Sequence, residues 1–291
     1  MALAQEAPAI ARSAAPPAHI VDTLIAERAP KLAATPVWPI VRPLLYAMLD
    51  YRKARRMADA IAPLGGRAAL DFASELLALK VEARGLERLP RTGRLILICN
   101  HPTGIADGVA VWDAVKQVRP DVMFYANADA HRISPSLDDV LIPVEWVEEK
   151  RTRERARLTL GMTRQAMEDE RALVIFPAGR IARRQRDGTL ADPAWAPTAL
   201  SIARKYDAPI APVNLAGPWS TLFHFFNRFS NELRDITVFH ELLNKRGGRY
   251  RMTVGPLIAA DAVPHDSAEA TARLKAYIES LLPADSDLPF A

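Results

Sequence analysis

The chain has 291 residues, of which 49% are hydrophobic, 25% charged and 7% aromatic, with a formal net charge of +4. These proportions are typical of a globular protein and exclude a disordered or fibrous chain, and so mild a charge does not by itself indicate nucleic-acid binding. The single cysteine, Cys99, excludes a disulfide within the chain and a thiolate cluster for structural zinc. We therefore expect a cytosolic protein.

The chain opens with two segments that precede the main domain. Residues 1–18 are rich in Ala and Pro and predict a disordered tail rather than a secretory signal. Residues 19–84 carry two helical patterns, one beginning at Pro43 and one over about 67–82, which predict an N-terminal helical hairpin. No window has the roughly 18 uncharged apolar residues that a membrane-spanning helix requires.

Part of this helical segment combines apolar residues with a basic run. The apolar residues are Val37, Trp38, Ile40, Leu44, Leu45 and Met48, and the basic ones are Arg52, Lys53, Arg55 and Arg56. Apolar side chains beside a basic patch are typical of a helix that lies on an anionic membrane surface. The alternative is that the segment packs on the main domain as ordinary core.

From residue 85 to 291, short apolar runs alternate with polar helical patterns. Predicted strands lie at 95–99, 122–126, 140–147, 172–176, 209–216, 235–239 and 249–258. Helical patterns occupy about 108–118, 152–169, 195–206 and 267–282. Fully apolar strands separated by helices are typical of an α/β domain whose sheet is covered on both faces. We predict a mixed, largely parallel sheet of about seven strands.

The first predicted strand of this domain leads directly into polar residues. It ends at Cys99, and Asn100 and His101 follow, with Asp107 at the expected start of a helix. His101 and Asp107 can then meet across one tight loop. A carboxylate that holds one imidazole nitrogen leaves the other nitrogen free to act as a general base. The alternative is an exposed turn histidine with Asp107 as a helix cap.

Two other chemistries fit the same stretch less well. The remaining five histidines show no ligand-like spacing with His101, so we predict no metal site. Cys99 lies inside an apolar run, where a thiol packs as a core residue instead of acting as a nucleophile.

Basic runs occur at 150–164 and 180–186. Most such runs are solvated helix faces. The second run is different because it follows a predicted strand and a turn containing Phe176, Pro177 and Gly179, and ligands bind at the strand ends of α/β sheets. Glycine permits close approach of the backbone, and arginine presents a forked pair of donors to phosphate or carboxylate.

In this order, the motifs resemble those of the phospholipid/glycerol acyltransferase family (the PlsC type). They are Asn-His with a following Asp at 100–107, Phe-Pro-x-Gly with a following arginine at 176–180, and Pro-Ile-x-Pro-Val at 209–213. The resemblance covers about residues 80–260. It is strongest to bacterial lysolipid acyltransferases of the lyso-ornithine-lipid type, through Asn-His-Pro-Thr-Gly at 100–104, Asp-Pro-Ala-Trp at 192–195 and Glu-Leu-Leu-Asn-Lys-Arg at 241–246.

Three motifs depart from the family's usual form. His101 and Asp107 are spaced as His-x5-Asp instead of His-x4-Asp, a longer loop that occurs in the branch that this chain resembles. Ala178 stands where the family has a glutamate, so that Arg180 follows the glycine directly. The third departure is in the middle motif, which lacks its usual arginine after the predicted strand at 140–147.

The resemblance implies that His101 deprotonates the hydroxyl of an acceptor, which attacks a thioester, while Asp107 fixes the histidine tautomer. Backbone amides near Gly179 are candidates to stabilise the oxyanion. The expected substrate-binding residues are Asn100, Thr103, Gly104, Phe176, Pro177, Gly179, Arg180, Arg183 and Arg184. Lys150 or Arg151 could replace the missing arginine of the middle motif.

The same resemblance implies the partners of the reaction. The donor is acyl-CoA or acyl-carrier protein, the acceptor is a lysolipid such as lysophosphatidate or lyso-ornithine lipid, and no metal or bound cofactor is needed. We expect peripheral association with the inner face of the cell membrane. Two alternatives stay open: a thioesterase or hydrolase in which water replaces the lysolipid, and a non-catalytic peripheral lipid-binding module whose His-Asp pair is structural.

Overall fold

The computed structural model describes residues 18–145, 152–185, 187–264 and 267–290. At its centre lies a seven-stranded sheet. The strands are β1 (Lys80–Arg84), β2 (Leu95–Cys99), β3 (Met123–Asn127), β4 (Leu141–Val144), β5 (Ala172–Ile175), β8 (Ile210–Ala216) and β9 (Arg249–Val254). A separate two-stranded antiparallel hairpin consists of β6 (Arg183–Arg184) and β7 (Leu190–Ala191).

The sheet has the strand order β1-β9-β8-β2-β5-β3-β4. Every neighbouring pair is parallel except β8 and β9, so that β1 and β9 run opposite to the other five strands. The carboxyl ends of those five strands therefore meet at one edge of the sheet, where α/β folds bind ligands. The predicted mixed, largely parallel sheet is confirmed.

Helices precede and surround the sheet. The amino-terminal ones are α1 (Ile20–Arg28), α2 (Pro30–Ala33), α3 (Trp38–Met48), α4 (Tyr51–Ile61) and α5 (Gly66–Leu77). The others are α6 (Ile105–Val115), α7 (Asp129–Ile133), α8 (Arg153–Glu168), α9 (Thr198–Tyr206), α10 (Thr221–Asn227), α11 (Asn231–Asp235), α12 (Val238–Leu243) and α13 (Ser267–Ala276), which continues as a π-helical turn over Tyr277–Leu281.

Both faces of the central strands are buried, which explains why those strands are apolar at every position. In β2, Ile96 and Ile98 pack into a cluster with α8, α9 and α13 on one face. Leu95 and Leu97 pack into a cluster with α5 and α6 on the other, which includes the fully buried Trp112. Side chains alternate between the faces of a strand, so a strand covered twice needs apolar residues throughout.

The amino-terminal segment is helical, as predicted, but it contains five helices where the sequence indicated a two-helix hairpin. These helices pack with α6 and α10–α12 in a third cluster that includes Leu24, Leu45 and Phe239. The segment also contains β1, which the sequence did not predict. Exposed residues alternate with half-buried ones along this edge strand, so Lys80–Arg84 lacks the apolar run by which the central strands were found.

The predicted strand at 235–239 is wrong. In the structure α11 ends at Asp235 and α12 begins at Val238. The β-branched residues favoured a strand, but Ile236 and Phe239 bury their side chains among the amino-terminal helices. The Thr237 hydroxyl donates a hydrogen bond to the Arg234 carbonyl in the turn between the two helices. Tertiary packing therefore overrides the local propensity.

Some predictions fall on residues that the structure does not describe. These are the predicted tail up to residue 17, the end of the predicted strand 140–147, and both Lys150 and Arg151. Among the described residues, no helix combines the length and the apolar character that crossing a membrane would demand.

Candidate active site

His101 and Asp107 meet at the carboxyl edge of the sheet. β2 ends at Cys99, a five-residue loop follows, and Asp107 is the third residue of α6. The His101 Nδ1 atom lies 2.9 Å from Asp107 Oδ2. The Asp107 side chain is fully buried, whereas that of His101 is 17% exposed. The predicted contact across one tight loop is thus present.

Every hydrogen-bond partner of the Asp107 carboxylate other than His101 is a donor. Oδ2 accepts from the amides of Thr103 at 2.9 Å and Gly104 at 3.0 Å, and Oδ1 accepts from the Thr103 hydroxyl at 2.6 Å. An acceptor-only carboxylate requires the imidazole to carry its proton on Nδ1. Nε2 is then the free acceptor, and it has no hydrogen-bond partner in the described part of the chain.

Tyr250 extends this network from the far end of the chain. Its hydroxyl lies 2.6 Å from Thr103 Oγ1, and because Thr103 donates to Asp107, Tyr250 donates to Thr103. Burial and the Asp107 charge raise the pKa of Tyr250 well above its usual range, which keeps the phenol a donor. A Cβ on Gly217 would lie 2.4 Å from the Tyr250 ring. No motif indicated this residue, because it lies 147 positions from Thr103.

Gly104 has a backbone that requires glycine. Its φ of +97° and ψ of −145° lie in a region that side chains rarely adopt, and a Cβ would lie 2.8 Å from Ile181 Cδ1. The glycine brings the 100–104 loop against the segment that carries the arginines.

Asn100 and Thr103 bond within the protein. Asn100 Nδ2 donates to the Leu215 carbonyl at 2.9 Å, and its Oδ1 accepts from the Leu215 amide at 2.6 Å. Asn100 is 8% exposed and Thr103 2%. Their side chains therefore join the 100–104 loop to β8 and to β9.

The turn after β5 lies beside His101. The Phe176 ring is 4.6 Å from the His101 ring between centroids, and the Pro177 carbonyl accepts a hydrogen bond from the Ala196 amide at 3.0 Å. Phe176 is buried, and its ring packs against the imidazole.

The amide of Gly179 is not free to stabilise an oxyanion. It donates to the Phe176 carbonyl at 3.0 Å and closes a tight turn in which Gly179 has a φ of +59°. Among the described residues, the amides of Arg180 and Ile181 have no such acceptor. Of the amides near Gly179, these two are therefore the better candidates.

Three arginines follow this turn in different settings. Arg180 is exposed, whereas Arg183 is half-buried with its guanidinium 5.0 Å from the Phe223 ring centroid. Arg184 lies 5.4 Å from the Trp219 ring centroid. Burial and the neighbouring arginines lower the pKa of Arg183 to about 10. The aromatic rings hold two of the three guanidinium groups in place.

None of these three arginines forms an ion pair with a carboxylate of the described chain. Asp187, the nearest acid in sequence to Arg180, accepts hydrogen bonds from the Thr189 amide at 2.9 Å and hydroxyl at 2.7 Å instead. The site therefore carries an excess of positive charge that suits an anionic ligand.

A further site residue is Asp192, which the sequence indicates only as part of the Asp-Pro-Ala-Trp motif at 192–195. Its buried carboxylate accepts hydrogen bonds from the His101 amide at 3.0 Å and the Trp195 indole at 2.9 Å. Burial raises the pKa of Asp192 to about 6. Only the tertiary fold reveals this contact, since 91 positions separate the two residues.

The other residues considered for chemistry have different environments. Cys99 is completely buried, and this burial, with the charges of Asp107 and Asp192, raises the pKa of its thiol well above the usual range. Within the described ranges no group of three or more His, Cys, Asp or Glu side chains is arranged to hold a metal ion.

Comparison with known proteins identifies one matching family. The family model described as Acyltransferase matches residues 80–216. The chain is 26% identical to a lyso-glycine lipid O-acyltransferase of Phocaeicola vulgatus over 64% of this chain and 67% of that protein. It is 29% identical to a lyso-glycine lipid O-acyltransferase of Bacteroides thetaiotaomicron over 53% of this chain and 55% of that protein, so it spans little more than half the length of this relative. A similar solved structure is the acyltransferase PlsC of Thermotoga maritima, with a TM-score of 0.46 and 13% identity over 91% of this chain and 96% of that one.

Proposed function

We propose that this chain, whose residues 80–216 match the acyltransferase family model, is a member of that family and transfers a fatty acyl group from a thioester to the free hydroxyl of a lysolipid with His101 as general base. The observation that carries the proposal is the 2.9 Å contact between His101 Nδ1 and Asp107, which leaves Nε2 as an open acceptor. A non-catalytic module has no need of such a base.

In this reaction Nε2 takes the hydroxyl proton while the hydroxyl oxygen attacks the thioester carbonyl. The tetrahedral intermediate collapses to the new ester and expels the thiolate, which receives the proton from the imidazolium. Asp107 stabilises the imidazolium without becoming protonated. A general base supplies roughly 10²–10⁴-fold, so donors to the oxyanion must supply more. We assign these donors to the amides of Arg180 and Ile181.

The unpaired arginines support an anionic acceptor. Arg180, Arg183 and Arg184 have no carboxylate partner in the described chain, and forked donors suit a carboxylate or phosphate. Lyso-glycine lipid, lyso-ornithine lipid and lysophosphatidate all carry such a group. The curated relatives are named for lyso-glycine lipid, which makes it the first acceptor to test. The donor is acyl-CoA or acyl-carrier protein.

The amino-terminal helices support docking on the inner face of the membrane. The exposed apolar residues of this surface are Val37, Ile40, Leu44 and Met48. Leu45 and Trp38, which the sequence pattern also placed there, pack with the core cluster instead. The basic side chains of α4 are exposed beside them. Apolar side chains next to basic ones favour an anionic lipid surface.

The test is an assay of purified protein with palmitoyl-CoA or palmitoyl-acyl-carrier protein against the three lysolipids, analysed by mass spectrometry. A diacylated product is expected, with His101→Ala as the matched inactive control. Free palmitate formed equally with and without acceptor would indicate a thioesterase. Lipid binding with no product from any pair would indicate a binding module.

A further inference from the structure

The carboxylate of Asp192 contacts the main chain of the proposed general base, yet the reaction above gives it no role. Its two oxygens lie 3.2 and 3.0 Å from the His101 amide, and the Trp195 indole donates to the nearer one. Asp192 is only 6% exposed. Burying a carboxylate is costly unless donors surround it, so this placement calls for a reason.

The hairpin β6–β7 holds the main chain of His101 from both sides. Ala182 stands just before β6, and its amide donates to the His101 carbonyl at 2.9 Å. Asp192 stands just after β7 and accepts from the His101 amide. With Asp107 holding the ring, three separate contacts determine where Nε2 lies. A reactive group needs this kind of support to keep its geometry.

Asp192 is itself held through its main chain, and the charged groups that act on its carboxyl are His101 and Glu279. Its amide donates to Glu279 Oε1 at 2.8 Å, and the other oxygen of Glu279 pairs with Lys275. Burial raises the pKa of Asp192 and the negative Glu279 adds to the rise, while a positive His101 opposes it. Such coupling is reciprocal, so an ionised Asp192 favours a positive His101. Asp107 acts on the same imidazole through Nδ1.

We infer that Asp192 is a positioning residue for His101: its carboxylate holds the main chain of the general base, and its charge favours the imidazolium that forms during acyl transfer. The inference rests on the proposed function of His101.

The decisive variant is Asp192→Asn, which keeps the size of the side chain and removes its charge. With palmitoyl-CoA and lyso-glycine lipid, kcat should fall roughly 10- to 100-fold, because the imidazolium that forms loses a negative charge that stabilises it. KM for each substrate should stay within about twofold. Loss of the anion disfavours the imidazolium, so the acid limb of the kcat/KM profile should move to lower pH.

Asp187→Asn is the matched control, because it makes the same change of charge at an exposed carboxylate between β6 and β7 whose hydrogen bonds come from Thr189. It should leave kcat near the wild-type value and the acid limb unmoved. Equal losses of kcat in both variants with no movement of the acid limb would overturn the inference and leave Asp192 a packing residue. If Asp192→Asn does not fold, Asp192→Glu replaces it: kcat should fall with the acid limb unmoved, and a wild-type kcat would overturn the inference.

His101→Ala, assayed in parallel, separates this inference from the proposed function. A fully active His101→Ala variant would refute the general base itself, and with it the inference. An inactive His101→Ala beside a wild-type-like Asp192→Asn would refute the inference alone.

Discussion

At the residue scale, several hydrogen-bond donors converge on one buried carboxylate of the site. Asp107 receives hydrogen bonds on both oxygens, and Tyr250 supports it through Thr103. Each donor strengthens the next in a buried chain of hydrogen bonds. As a result, Nδ1 of His101 carries the proton and Nε2 is free to accept one. Catalysis should therefore depend on His101 and Asp107 together.

Replacing His101 by Ala should reduce turnover by at least about 10²-fold while the protein stays folded, because the proposed general base is lost. Asp107→Asn should reduce it similarly by disfavouring the productive tautomer. Single-turnover kinetics with circular dichroism check both. His240→Ala is the control, since His240 contacts Asp50 at 3.1 Å in another part of the molecule. Near-wild-type acyl transfer by His101→Ala would contradict the assignment.

Arg180→Ala should raise KM for the lysolipid by about 10- to 150-fold and change KM for the donor far less. A charge-assisted hydrogen bond contributes roughly 1.5–3 kcal/mol, and this exposed guanidinium has no partner in the described chain to lose. Varying each substrate separately measures the effect. Arg91→Ala, another exposed arginine, is the control. A KM rise confined to the donor would assign Arg180 to the carrier or the CoA phosphates.

At the scale of elements, α3 presents one apolar face to solvent. Ile40 is 78% exposed and Leu44 is 71% exposed, one turn apart on the same face. α3 packs against α4, whose basic side chains are exposed. Trp219, which lies beside Arg184, is also exposed, as are Phe225 in α10 and Phe229 just after it.

Replacing Ile40 and Leu44 together by Ser should reduce sedimentation with anionic liposomes and leave the melting temperature unchanged, because exposed side chains add little to folding. High salt should weaken binding of the wild-type protein. Leu281→Ser, at a 50% exposed leucine beyond α13, is the control. Equal binding by the Ile40/Leu44 variant and the control would show that α3 is not the contact surface.

The same elements show how far the sequence predicts the structure. β2 was predicted to the residue because LILIC is apolar throughout, and the His101–Asp107 contact followed from one short loop. β1 escaped detection because half of an edge strand faces solvent. Tyr250 and Asp192 escaped as site residues because their partners lie 147 and 91 positions away. Contacts between residues that are close in the sequence can be predicted from it, whereas contacts between distant residues become visible only in the folded structure.

At the scale of the whole molecule, Asp192 links stability to pH. Burial raises its pKa from 3.8 to about 6, so between these values the folded protein keeps a proton that the unfolded chain has released. The stability that this carboxyl contributes is therefore present below about pH 4 and is lost as the pH rises to about 6. At roughly 1.4 kcal/mol per pH unit the loss is about 3 kcal/mol.

The difference in unfolding free energy between the wild type and Asp192→Asn should therefore fall by about 3 kcal/mol from pH 4 to pH 7. Urea denaturation at each pH measures it. Asp187→Asn is the control: hydrogen bonds from Thr189 lower the pKa of this exposed carboxyl, so the corresponding difference cannot fall. A difference for Asp192→Asn that is constant with pH would contradict the prediction.

The reversal between β8 and β9 has a consequence for how such a protein diversifies. Ala216, at the end of β8, pairs with Arg251 of β9, and α10–α12 lie between these two strands. Paired strands are about 5 Å apart, so the chain leaves the sheet and returns to it at nearly the same place. The 217–248 segment therefore begins and ends at neighbouring positions on the sheet. It carries Phe223 to Arg183 and Trp219 to Arg184, so a change in this segment would alter the surroundings of these two arginines without changing where the chain leaves and rejoins the sheet.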